Sequence, residues 1–315
     1  MIEVRNLRKE YEEFVAVNNV DLNVGEGCIY GLLGSNGAGK TTLLKTLAGL
    51  YRPEKGEVKI FGEKVYENTL VKQEILFVSD ELYFYPSYTI KEMAKFYRGI
   101  YPSWSEEKFM ELGKIFPINP KQKIHRLSKG MKRQVALWLS LSAMPKLLIL
   151  DEPLDGLDSF MRQKVKKLLF EEVADRSMSI VISSHNLREL EDLCDHVGIL
   201  HQGKMVLERD LDELKSDIHK VQFALGDLQR QKMENQGVQL NVNGYLLGKK
   251  ELKILSREQQ GSILLWMIKG SYEDIMKAME EIQPPVLDVL PLTLEEVFIY
   301  EMGELSHEIN ASIFQ

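Results

Sequence analysis

Cysteine is scarce in this 315-residue chain: Cys28 and Cys194 are the only two, and neither stands in a metal-ligand spacing or a disulfide framework. That excludes a small domain stapled by disulfides and points to buried free thiols in a reducing, cytoplasmic setting. Long apolar runs are missing too. No window approaches the roughly 20 apolar residues of a membrane-spanning helix, so any role at a membrane is expected to come through a partner. The opening MIEVRNLRKEYEEF carries charge from its third residue and holds no apolar stretch of leader length, so no cleaved leader is expected. Nor is positive charge in surplus. With 40 Lys and Arg against 47 Asp and Glu, the formal net charge is -7, and sequence-independent binders of nucleic acid usually offer phosphate a concentrated excess of cations. No nucleic-acid partner is expected.

What is present is an ordinary globular composition, 44% hydrophobic and 28% charged, in a chain long enough for one large domain and a smaller one. Three short apolar runs read as buried strands, and each ends in chemistry. CIYGLL (Cys28 to Leu33) leads into GSNGAGKT, which fits the spacing G-x-x-x-x-G-K-[ST], and then into TLLKTLAGL at helical spacing. In such a loop, Gly34, Ser35, Asn36, Gly37, Ala38 and Gly39 turn successive N–H groups toward phosphates, and the positive end of the new helix faces them. Lys40 would reach the outer phosphates, and Thr41, followed by Thr42, would offer a hydroxyl to Mg²⁺. The second run, LLIL, ends in Asp151 and Glu152. Ligands of an open parallel sheet bind beyond the carboxyl ends of its strands, so Asp151 is a candidate for the metal shell and Glu152 for a general base that polarises water. The third, SIVISSH (Ser179 to His185), puts His185 at the same edge as a candidate sensor of the terminal phosphate.

The order GSNGAGKTT, LSKGMKRQ, LLILDEP, LDGLD and SSH resembles one family, the ATP-binding subunits of ABC transporters, over about residues 1 to 215. The resemblance implies an α/β fold, a P-loop NTPase core of the ABC type with a helical subdomain at about residues 82–145. It implies ATP and Mg²⁺ as cofactors and hydrolysis as the reaction. It also implies a head-to-tail pair of such subunits, in which Ser128 and Gly130 of LSKGMKRQ, at a helix N-terminus, cap the ATP held by the other copy. Asp158 falls in the stretch that resembles the D-loop, and Tyr11 falls where the family stacks an aromatic on adenine. A separate membrane permease is the implied partner, with this chain at the cytoplasmic face of the cell membrane. A soluble ABC-type ATPase acting on a nucleic-acid, ribosomal or protein assembly is the alternative.

Two departures from the family pattern bear on the chemistry. Lys129 and Met131 replace a glycine and a glutamine of the usual L-S-G-G-Q. In ILFVSDELYFYP the position of a metal-contacting glutamine is held by Asp80, or by its neighbour Ser79; an aspartate could ligate Mg²⁺ but could not donate a hydrogen bond to water. Between Asp80 and Leu127, Thr89 and Glu92 form a capping-box pattern, a second helix starts near Ser105, and LYFYPSY could line a permease groove or pack in a core. Beyond about Asp212, KVQFAL, ELKILS and SILLWMI read as strands, and SYEDIMKAMEEI and LTLEEVFIYEM as helices. They make a small C-terminal α+β accessory domain over residues 216–302, with a flexible tail at 303–315. The ending LPLTLEEVFIYEM is similar to tails of two-part exporters, which implies export.

Overall fold

Each of the three apolar runs forms a wholly buried strand, over Ile29–Leu33, Leu147–Asp151 and Ser179–Ser184. In the computed structural model, which describes residues 1–216, 218–226, 252–293 and 295–296, the chain divides into one unit of residues 1–208 and a second that starts at Arg209.

The first unit opens with β1 (Ile2–Tyr11) and β2 (Phe14–Val24), antiparallel partners from Ile2 opposite Val24 to Tyr11 opposite Phe14. Next come β3 (Ile29–Leu33), α1 (Lys40–Leu47), β4 (Lys55–Ile60), β5 (Glu63–Lys64), α2 (Thr69–Gln73) and β6 (Ile75–Val78). The helical segment follows with α3 (Ile90–Ile100), α4 (Glu106–Ile115) and α5 (Lys129–Ser142). The last stretch holds β7 (Leu147–Asp151), α6 (Ser159–Arg176), β8 (Ser179–Ser184), α7 (Leu187–Glu191), β9 (His196–His201) and β10 (Lys204–Asp210). Two sheets result, β2-β1-β4-β5 and β10-β9-β3-β8-β7-β6. In the second, β9, β3, β8, β7 and β6 run parallel, and their register sets Leu33 beside Ser184 and Asp151 beside Ser183. Three carboxyl ends therefore finish side by side. One apolar cluster fixes them: Val4 and Ile60 from the first sheet meet Leu43 and Leu47 of α1 and Leu147, Ile149 and Leu200 of the second.

The expected capping box is present: the Thr89 hydroxyl accepts from the Glu92 N–H, and Glu92 accepts from the Thr89 N–H at 2.7 Å. Ser105 caps α4 by a single bond, its hydroxyl accepting from the Lys108 N–H at 3.0 Å. From Arg133 to Ser142, α5 is entirely buried, and Trp138 stacks on Phe109 at 4.7 Å while donating to its carbonyl at 2.8 Å. The aromatic run between β6 and α3 is no core segment, because Tyr83 is 77% and Tyr85 41% exposed.

In the second unit, α8 (Leu211–Ser216), β11 (Ile218–Ala224), β12 (Lys253–Gln260), β13 (Ile263–Lys269), α9 (Tyr272–Ile282) and β14 (Val286–Leu290) include a sheet of order β12-β13-β11-β14. Its core joins Phe223, Ile254, Trp266 and Ile268 to Ile275 and Met279 of α9. The sequence reading did not include β14. Most of the expected final helix LTLEEVFIYEM, and all of the expected tail at 303–315, lie outside the described residues.

Candidate active site

The loop between β3 and α1 is shaped by what stands behind it. Gly39 adopts φ +105°, and a Cβ there would overlap the Ala16 carbonyl oxygen of β2. From the turn after β9, the Gly203 N–H donates to the Ala38 carbonyl at 2.9 Å. Gly34 and Ala38 form the buried base, and Asn36 and Gly37 the exposed tip. Lys40, 6% exposed, folds back over the loop: its ammonium donates to the Gly34 carbonyl at 2.6 Å and to that of Ser35 at 3.3 Å.

The same ammonium lies 3.2 Å from Glu152 Oε1, which joins the loop to the end of β7. A second bridge runs beside it, for the Thr41 hydroxyl donates to Asp151 Oδ2 at 2.7 Å. Ser183 of β8 donates to Asp151 Oδ1 at 2.7 Å and accepts from the Glu152 N–H at 3.0 Å. Asp151 has no exposed surface, so its charge is held by two hydroxyls. Glu152 sits at φ +48°, a left-handed backbone seldom taken by a residue with a side chain. That turn points its carboxylate to His185, whose Nδ1 is 2.9 Å and whose backbone N–H is 3.3 Å from Oε2. A phosphate loop, two carboxylates and an imidazole thus converge where the register aligns the strand ends.

An open cleft of about 300 Å³ lies over the loop, lined by Tyr11, Phe14, Ser35, Lys40, Thr41, Thr42, Asp80 and Glu152 among others. Tyr11 is 42% exposed and meets Tyr51 edge-on at 6.1 Å. Burial pushes the Tyr11 phenol up, against a hydrogen bond with Thr42 that lowers it. Ser128 and Gly130 are not among the residues lining this cleft. Ser128 caps α5, accepting from the Met131 N–H at 3.2 Å, and a Cβ on Gly130 would overlap the Gly156 carbonyl. Asp158 caps α6, accepting from the Met161 N–H at 2.9 Å.

Asp80 is at the cleft, and its carboxylate also takes a 2.7 Å ion pair from Arg133. Among the described residues, no three His, Cys, Asp or Glu side chains cluster to hold a metal alone. The oxygen pair Thr41–Asp151 still suits Mg²⁺, which is commonly held by one or two carboxylates plus the phosphates of its nucleotide. Sequence reasoning missed three residues: Ser183, Phe14 and Arg133. Ser183 was visible inside SSH, and Phe14 as the cross-strand partner of Tyr11. Arg133 carried no signal.

The pattern of the family described as ABC transporter matches residues 17–155. The chain is 35% identical over 303 residues to the ABC transporter ATP-binding protein YtrB of Bacillus subtilis (strain 168), covering 96% of this chain and 98% of that protein. It is 33% identical to the bacitracin transport ATP-binding protein BcrA of Bacillus licheniformis, covering 94% of each. Among solved structures, an ATP-binding subunit of an ABC transporter superposes with TM-score 0.64 at 27% identity, over 68% of this chain and 92% of that one. A dimeric ATP-binding cassette in a post-hydrolysis state, bound to ADP and Pi, superposes with TM-score 0.61 at 25% identity, over 67% of this chain and 99% of the other.

Proposed function

The chain belongs to the ATP-binding proteins of ABC transporters and is an ATPase of that family, and on that premise we propose that it drives a separate membrane permease, for export, from the cytoplasmic face of the membrane. The observation that carries the ATP-driven part of this reading is the meeting of Lys40, Thr41, Asp151, Glu152 and His185 at three aligned strand ends. The similarity to the protein named for bacitracin transport, which extends over both units, supports a transport role for the whole chain. Among the described residues, no helix is long and apolar enough to cross a membrane.

In the proposed cycle, ATP enters the cleft over α1, with Tyr11 and Phe14 on the side of its base and its phosphates against the N–H groups of residues 34–41. Lys40 exchanges the loop carbonyls for phosphate oxygens. Mg²⁺ accompanying the nucleotide would be held by Thr41 and Asp151 and would neutralise charge developing on the phosphoryl oxygens. Glu152 takes the proton of the attacking water, and His185 orients that carboxylate while its ring faces the terminal phosphate. A second subunit supplies Ser128 and Gly130 from its own α5 to close over the nucleotide, and closure is passed to the permease. We assign this work to residues 1–215 and an accessory role to residues 216–302.

The test is to isolate tagged chain from gently solubilised membranes and identify every stoichiometric partner by mass. An integral-membrane partner with several apolar spans is expected. Recovery with a non-membrane partner alone would end the permease proposal and leave the ATPase standing.

A further inference from the structure

Asp80 places a carboxylate on the wall of a cleft that must receive a polyanion. Its side chain is 45% exposed, and Lys40 does not neutralise it, because that ammonium is paired with Glu152. The compensating cation is Arg133, in the second turn of α5 and without exposed surface. One guanidinium nitrogen donates to Asp80 Oδ1 at 2.7 Å; the other donates to the carbonyls of Asp80 at 3.1 Å and Ser79 at 3.3 Å. Nε is buried with no partner. The arginine therefore spends its fork on the two residues that follow β6, gripping Asp80 by both main chain and side chain.

We propose that Asp80 and Arg133 are a positioning pair that ties the nucleotide cleft to the start of α5 in the same chain, so that occupation of the cleft is felt at Ser128 and Gly130. The inference rests on the nucleotide reading of the site. Its logic is the asymmetry of burial. A buried guanidinium cannot be separated cheaply from its counter-charge. When phosphates, or a cation held with them, displace the Asp80 carboxylate, Arg133 follows rather than staying behind unpaired. Arg133 is part of a continuous helix whose first residue, Lys129, lies one turn away and whose cap is Ser128. A displacement at Asp80 is thereby delivered to the helix end proposed to reach the partner subunit's nucleotide. A neutral amide at position 80 would make a weaker bond to the guanidinium and hold it less firmly.

The experiment is hydrogen exchange of residues 127–135 in the full chain, with and without ATP, for the parent, R133M, R133K and D80N/R133M. Each protein is studied at ATP well above its own measured Kd and at a dilution where the chain is monomeric, so that contact of Ser128 and Gly130 with a partner's nucleotide does not itself slow exchange. In the parent, ATP slows exchange in this segment. In R133M and in the double variant the slowing falls by about fivefold or more, the size of a typical coupling between sites. R133K, which keeps the cation but loses the planar fork, retains part of it. R133M leaves the half-exposed Asp80 carboxylate without its cation, and the double variant removes that charge as well, so it carries the test even where R133M fails to fold. A parent that binds ATP without any change at 127–135, or a double variant that responds as fully as the parent, overturns the proposal. A parent that binds no ATP overturns the nucleotide reading itself, before any variant is compared.

Discussion

His185 and Glu152 are joined twice through one oxygen: Glu152 Oε2 lies 2.9 Å from the imidazole Nδ1 and accepts from the His185 backbone N–H at 3.3 Å. A carboxylate only accepts, so Nδ1 carries the proton and Nε2 is the nitrogen left to face a ligand. Lys40 takes the other oxygen at 3.2 Å. The glutamate is thus aimed before any water arrives, by a cation on one side and an imidazole on the other.

Glu152→Gln keeps the shape and removes the ability to accept a proton. Steady-state ATP turnover is expected to fall by about 10²–10⁴-fold, the usual contribution of a general base, while ATP still binds. Parallel measurement of turnover and of nucleotide binding checks this. Equal rates in mutant and parent would remove Glu152 from the role of base.

Gly39→Ala meets two obstacles at once, the +105° backbone and the Ala16 carbonyl where the new methyl would go. Left-handed strain alone costs of order 1–3 kcal/mol, and the overlap must be relieved by moving the loop off β2. The expected result is a lower melting temperature together with ATP affinity reduced at least about tenfold, the equivalent of 1.4 kcal/mol. Thermal unfolding and equilibrium binding on the same sample test it. Unchanged affinity would mean that the loop tolerates displacement.

The parts of the site legible in sequence are those made by contiguous residues. The phosphate loop is a local backbone device, and the strands that carry Asp151 and His185 are fully buried, hence uniformly apolar. What stayed hidden is made by packing. Arg133 and Asp80 are 53 residues apart in sequence, and nothing in KRQVAL marks its arginine as the one that turns inward. β1 shows no clean alternation because its register against β2 slips at three places between Val4 and Glu10. β14 is flanked by Pro284, Pro285 and Pro291, which read as breakers; it is an edge strand, where prolines at the ends do no harm.

The capping box at α3 makes a pH prediction. The Thr89 backbone N–H first, and its hydroxyl second, hold the Glu92 carboxyl below its usual value. A depressed acid contributes stability that is fully present above its unfolded pKa, about 4.3, and is lost as pH falls through the lower folded value. Glu92→Gln should therefore be less stable than the parent near neutral pH, and the gap should start to narrow as pH falls toward the unfolded value of about 4.3 and close only below the lower folded one. Denaturant midpoints across that range decide the matter. A gap that persists in acid would show that the carboxylate charge contributes nothing.

Ser128→Ala separates two roles carried by one oxygen. As the cap of α5 the hydroxyl accepts a rather long 3.2 Å bond from Met131, and losing a cap costs about 1 kcal/mol of stability. That is too small to depopulate the folded chain, so a purely structural serine would leave turnover near the parental rate. If the same hydroxyl completes the nucleotide site of a partner subunit, turnover falls by about tenfold or more, as expected when a buried charge-assisted hydrogen bond is lost. The fall should be matched by a weakened ATP-dependent dimer. Unfolding free energy, ATPase rate and dimer mass measured together tell the two apart. A loss of stability with unchanged turnover and unchanged dimer would reduce Ser128 to a helix cap.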